Sequence, residues 1–142
     1  MATAERLCLN VGMKVDGRCH CGAISYEAVV DPARVGICHC TDCQVLTGSA
    51  YRVVVPTAKD DFRLLSGTPT IYVKTADSGM KRAHAFCPKC GAPVYATAVE
   101  NPQSYSLRVG ALSQRAELVP RAQQWNRSAV PWSADLRAVP RV

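Results

Sequence analysis

The stretch from Ile37 to Gly48, ICHCTDCQVLTG, places Cys38, Cys40 and Cys43 within six residues and then turns to other chemistry. Three cysteines at this spacing chelate one ion easily, yet a closed structural zinc site takes four protein ligands. What the run means depends on the other five cysteines.

The chain has 142 residues and eight cysteines, at 8, 19, 21, 38, 40, 43, 87 and 90. That length fits one domain with a modest core. A hydrophobic content of 48% and a charged content of 20% are those of an ordinary globular protein. No apolar run is long enough to span a bilayer. The opening MATAERLCLNVG carries Glu5 and Arg6 and lacks the apolar block of a secretory signal. A cytoplasmic, reducing setting is therefore expected, in which clustered cysteines point to metal binding or catalysis rather than disulfides.

The formal charge of +6 invites a nucleic-acid reading, but the basic residues are scattered and the longest run is Lys81-Arg82. Thiolates that hold metal lose their protons. Four of them around one Zn2+ and three around another would lower the charge to about +3. The balance suits a small anionic substrate and argues against nucleic acid. No sequence feature sets the oligomeric state, and a homo-oligomer is compatible with it.

Residues 1–12 read as an amino-terminal extension around the isolated Cys8, with the single domain spanning 13–142 from a second methionine, Met13. From there the signal is mainly β. AISYEAVV (Ala23–Val30), AYRVVVP, FRLLSG, TIYVKT, APVYATAV and SYSLRVG are short strands broken by Gly, Pro, Asp and Ser. One segment differs: Thr41–Thr47 reads as a short helix, with Thr41 and Gln44 as a capping box and Gly48 as its stop. The proline-rich VPWSADLRAVPRV is expected to wrap the sheet as irregular chain.

CPKCG, with Cys87 and Cys90, is a zinc knuckle that supplies two sulfurs. CHC at 19–21, read as a strand, puts Cys19 and Cys21 on one face and His20 on the other. Together these four make a closed structural zinc site. Cys38, Cys40 and Cys43 then remain as a second group, and three protein ligands with an open position are the pattern of a catalytic zinc. Cys43 falls in the first helical turn, where the dipole favours a thiolate. The alternative is a second structural site closed by Asp42, His39, His84 or Cys8. His20 and His39 each sit between ligand cysteines and turn away from the metal by strand alternation. Trp125 and Trp132 read as packing residues.

DGRCHCGAISY, ICHCTDCQVLTGSAYR, FCPKCGAPVY and the late Pro131-Trp132 resemble the glutathione-dependent formaldehyde-activating enzyme family, which includes centromere protein V. The resemblance runs from about Val15 to the end and leaves out Cys8. It implies a mainly β, tent-like fold of antiparallel sheets with two zinc ions per chain. The structural ion falls to Cys19, Cys21, Cys87 and Cys90, and a labile one to Cys38, Cys40 and Cys43. It also implies a carbon–sulfur lyase that condenses glutathione, or a similar small thiol, with formaldehyde or a related small aldehyde. A thiol with a pKa of about 8.5 is a poor nucleophile until a metal favours its thiolate. Thr47, Gly48, Ser49 and Arg52 follow the helix and are the candidate substrate contacts, Arg52 by pairing with a carboxylate. The rival expectations are a glutathione-binding carrier and a zinc-stabilised adaptor.

Overall fold

The computed structural model describes residues 12–142. The expected extension over residues 1–12, Cys8 included, lies outside the described residues except for Gly12. The chain is mainly β, in two sheets. The smaller holds β1 (Met13–Arg18), β2 (Ser25–Val30) and β5 (Phe62–Ser66), in the order β1-β2-β5. The larger holds β3 (Gly36–Cys38), β4 (Arg52–Ala58), β6 (Thr70–Thr75), β7 (Lys81–Phe86), β8 (Pro93–Ala98), β9 (Ser104–Arg108) and β10 (Ala122–Gln124). Its order is β10-β3-β4-β9-β8-β7-β6, and every pairing is antiparallel except that of β10 with β3.

The sheets meet through residues that alternate along their strands. In β2, Tyr26, Ala28 and Val30 point inward, and Val55, Ala85, Val94 and Leu107 oppose them from the larger sheet. Burying each large aliphatic side chain stabilises the fold by roughly 1.5–3 kcal/mol. Phe62 stacks on Tyr105 at 4.8 Å between centroids and meets Tyr26 and Tyr95 at the sheet interface. The Thr57 hydroxyl donates across it to the Val29 carbonyl at 2.7 Å. Gly17 is dictated by this packing, because a Cβ there would lie 2.4 Å from the Tyr26 ring.

The helix α1 (Thr41–Thr47) forms where expected, but its cap differs. Cys40, not Thr41, is the N-cap, and its Sγ accepts from the Cys43 N–H at 3.3 Å. Gln44 does not close a capping box; its Nε2 donates to the carbonyls of His39 and Ser128, each at 2.9 Å. Gly48 ends the helix in the left-handed conformation, at φ 64°. A seven-residue helix with no buried side chain cannot stand alone. The Gln44 bonds and a Lys74–Asp42 ion pair at 2.6 Å fasten it over the larger sheet. The carboxyl-terminal segment is irregular beyond a single 3-10 turn at Pro131–Ala134.

The outer face of the larger sheet is set by register. Cys38 pairs with Arg52, Val54 with Arg108, His84 with Ala96 and Tyr72, and Arg82 with Lys74. Because paired residues share a face, Cys38, Arg52, Arg108, His84, Arg82 and Lys74 all lie on the side away from the core.

Candidate metal centres and the adjoining cavity

Cys19 and Cys21 do not lie on a strand as expected. They sit in the turn that joins β1 to β2, where the Gly22 N–H bonds the Cys19 carbonyl at 3.2 Å. This turn has the design of the knuckle between β7 and β8. The Cys19 N–H donates to the Ile24 carbonyl, and the Cys87 N–H to the Ala92 carbonyl, both at 3.0 Å. Gly22 and Gly91 adopt φ 83° and 76°, which a side chain would strain. Backbone donors also reach the sulfurs, from Ile24 to Cys19 at 3.2 Å and from Lys89 to Cys87 at 3.4 Å.

The two hairpin turns, one from each sheet, bring four sulfurs within 4.8 Å of one another. Around a tetrahedral ion with bonds of about 2.3 Å, sulfurs lie about 3.8 Å apart. Cys19 to Cys21 is 3.6 Å and Cys21 to Cys87 is 3.7 Å, so this donor set fits such an ion. Cys19 and Cys87 are fully buried, whereas Cys21 is exposed.

The second group comes from a single segment. Cys38 ends β3, Cys40 caps α1 and Cys43 lies in its first turn, with all three sulfurs within 4.8 Å. Cys38 alone belongs to a strand; beyond it the His39 N–H donates to the Gln124 carbonyl of β10 at 3.0 Å, and the chain runs on extended to Cys40. Among the described residues no fourth metal-ligating side chain joins the group. Asp42 is paired with Lys74. His39 is buried on the other side of the chain, with Nε2 2.7 Å from Gln123 Oε1. His84 Nδ1 lies 3.3 Å from Arg108 Nη2. Cys8 is not among the described residues. Burial first, then the neighbouring sulfurs, pushes the Cys43 thiol up to about 12. The Cys90 thiol is drawn down to about 6, chiefly by the backbone of Ala92 and Cys21.

Beyond the helix lies a cavity of about 460 Å3, lined by Arg18, His20, Thr47, Tyr51, Arg52 and Arg108, with apolar neighbours from Ala92 to Ala111. Of the expected substrate contacts, Thr47 and Arg52 line it, while Gly48 and Ser49 do not. Thr47 joins cavity to cluster, since its hydroxyl donates to the Cys43 carbonyl at 2.7 Å. Arg52 and Arg108 are 5% and 7% exposed, and the Nε of each has no hydrogen-bond partner. Burial first and the charge of Arg52 second lower the Arg108 pKa to about 9, against the opposing charges of Cys43 and Cys38. Burial, with Arg108 next, lowers His84 to about 4, so its neutral Nδ1 accepts from the guanidinium. Arg108 escaped the sequence reading. Its signal was a charged residue closing the strand SYSLR, on the face opposite the apolar Leu107.

A model of the glutathione-dependent formaldehyde-activating enzyme family matches residues 14–128. The chain belongs to that family, and its two cysteine groups are able to hold metal ions. The crystal structure of a Rhodobacter sphaeroides protein matches with a TM-score of 0.60 at 22% identity, covering 77% of this chain and 99% of that one. At that identity the likeness shows the fold alone. No helix among the described residues is long and apolar enough to cross a membrane.

Proposed function

We propose that the protein is a zinc-dependent carbon–sulfur lyase of the S-(hydroxymethyl)glutathione synthase kind. Its reaction adds the sulfur of glutathione, or a similar small thiol, to formaldehyde or a related small aldehyde. The observation that carries this reading is the group of three sulfurs, Cys38, Cys40 and Cys43, with no fourth protein ligand beside it among the described residues. Cys19, Cys21, Cys87 and Cys90 would hold a structural zinc and the three-sulfur group a second, labile one. That second ion supplies an open position that favours the thiolate of an incoming sulfur.

The remaining chemistry belongs to the chain. Cys40 anchors the start of α1 and so fixes where the open side of the cluster faces. Arg52, with Thr47, Gly48 and Ser49 nearby, orients the peptide part of the thiol. In the reaction the thiol passes its proton to water, its sulfur lone pair forms the S–C bond, and the carbonyl pair moves to oxygen. That oxygen then takes a proton from water, leaving a hydroxymethyl thioether. Unbridged cysteines in both groups fit a reducing, cytoplasmic setting.

Formaldehyde and thiols combine unaided, so the test is the exchange rate between free and adduct glutathione at equilibrium, with and without protein. Acceleration that disappears in Cys43→Ser is expected. Tight glutathione binding with no acceleration would make the protein a carrier instead, and absence of binding would remove glutathione from the account.

A further inference from the structure

Three arginines line the 460 Å3 cavity, and among the described residues no acidic one does. Two of them, Arg52 and Arg108, are more than nine-tenths buried. Ion pairs among the described residues join Arg63 to Glu27, Lys74 to Asp42 and Arg137 to Asp135, and none of them involves Arg52 or Arg108. A buried guanidinium without a counter-ion is destabilising, and two adjacent ones more so. Unpartnered Nε atoms on both leave donors to spare. A second cavity, lined by Cys40, is different: Asp42 and Asp77 there offset Lys74 and Arg127.

We propose that the cavity bounded by Arg18, Arg52 and Arg108 is a carboxylate pocket, and that it selects thiols carrying an uncompensated carboxylate. The position of the sulfur rests on the thiol-activation reading above; the anion pocket stands on the arginines. Arg108 lines it and is held by His84, and Arg52 lines it as the partner of Cys38 across β3 and β4. In a γ-glutamyl tripeptide thiol the α-carboxylate sits beside its own ammonium group, so the glycyl carboxylate is the group with charge to spare. The planar fork of Arg binds a carboxylate through two parallel donors, which an ammonium group cannot do.

Three probes separate this pocket from the metal chemistry: glutathione, its glycinamide form, and S-methylglutathione, each titrated calorimetrically into zinc-loaded protein. The amide should bind roughly tenfold to a hundredfold more weakly than glutathione, the range for loss of a charged hydrogen bond. In Arg108→Gln the acid and the amide should bind alike, and Arg108→Lys should restore only part of the difference. Equal binding of acid and amide to the unaltered protein would overturn the pocket and leave thiol activation intact. If S-methylglutathione binds as well as glutathione and still responds to Arg108→Gln, the pocket stands and thiol activation fails. Binding of none of the three would overturn both. The comparison on unaltered protein decides the matter even if Arg108→Gln does not fold.

Discussion

The two cysteine groups gather sulfurs to the same closeness by opposite means. The four-sulfur group is assembled from turns of two different sheets, and Cys21 meets Cys87 from 66 positions away. Its buried members, Cys19 and Cys87, belong to the hydrophobic core. The three-sulfur group is local, a strand end and one turn of helix, with no buried residue in α1. A metal in the first closes a long loop and ties the sheets together; a metal in the second orders only the segment that holds it. One site would then be part of the fold, and the other is free to serve chemistry.

The largest effect that tests this contrast comes from exchanging one sulfur in each group. Cys87→Ser removes a fully buried ligand, and the expected loss is about 3 kcal/mol or more, enough to unfold many domains of this size. Cys43→Ser should cost less than about 1 kcal/mol and keep the β-rich circular dichroism spectrum. Thermal melts of the two variants decide it. Equal destabilisation would make the three-sulfur group a second structural site.

A smaller effect concerns release of metal. Zinc-loaded protein should give up about half of its ions to a mild chelator in a fast phase, with unchanged melting of the small sheet. A closed set of four sulfurs leaves a competitor no ligand position to enter, whereas three sulfurs leave one. The Cys43 thiol, pushed up to about 12, must also lose its proton to hold the ion, so the fast phase should quicken as pH falls. Release in a single slow phase would contradict the division into two kinds of site.

Much of this was legible in the sequence, for definite reasons. Cysteine spacing revealed both groups because chelation is a local constraint, and period-two patterning revealed strands such as that containing Tyr26 and Val30. Thr41–Thr47 was readable because Gly48 stops a helix by its own backbone freedom. The errors arose where a partner outside the local pattern competed with it. Cys19 and Cys21 looked like a strand because CHC alternates, but the Cys19–Ile24 backbone bond closes a turn there. Gln44 matched a capping box, yet Ser128 competes for its amide from 84 positions away. β1 and β10 were passed over: MKVDGR carries too many polar residues for an isolated pattern, and AQQ is three residues long. Arg108 acquires its meaning only from the register that sets it beside Arg52 and His84.

The smallest effect lies on the three-sulfur side and comes from His84. Arg108 and Arg52 from β9 and β4, Lys74 from β6 and Arg82 from its own strand all act on it, and among the described residues only Lys74 of the four has a carboxylate against it, that of Asp42. Its pKa falls from 6.5 to about 4, burial being the first cause and Arg108 the second. The folded protein therefore resists protonation while the unfolded chain accepts it. Between pH 6.5 and about 4 the unfolded state binds more protons, so stability falls as pH falls through that window and levels off below it. Half-burial lets solvent screen part of the charge, and the discounted contribution is about 1 kcal/mol. His84→Gln cannot titrate and should lack this component. Metal loss in acid affects both proteins alike, so the quantity to measure is the difference between their melting temperatures at pH 7 and at pH 5, with zinc content followed in parallel. The unaltered protein should lose more than His84→Gln does. Parallel declines would mean that water already solvates the imidazole, and that the cationic face is wetter than its buried arginines imply.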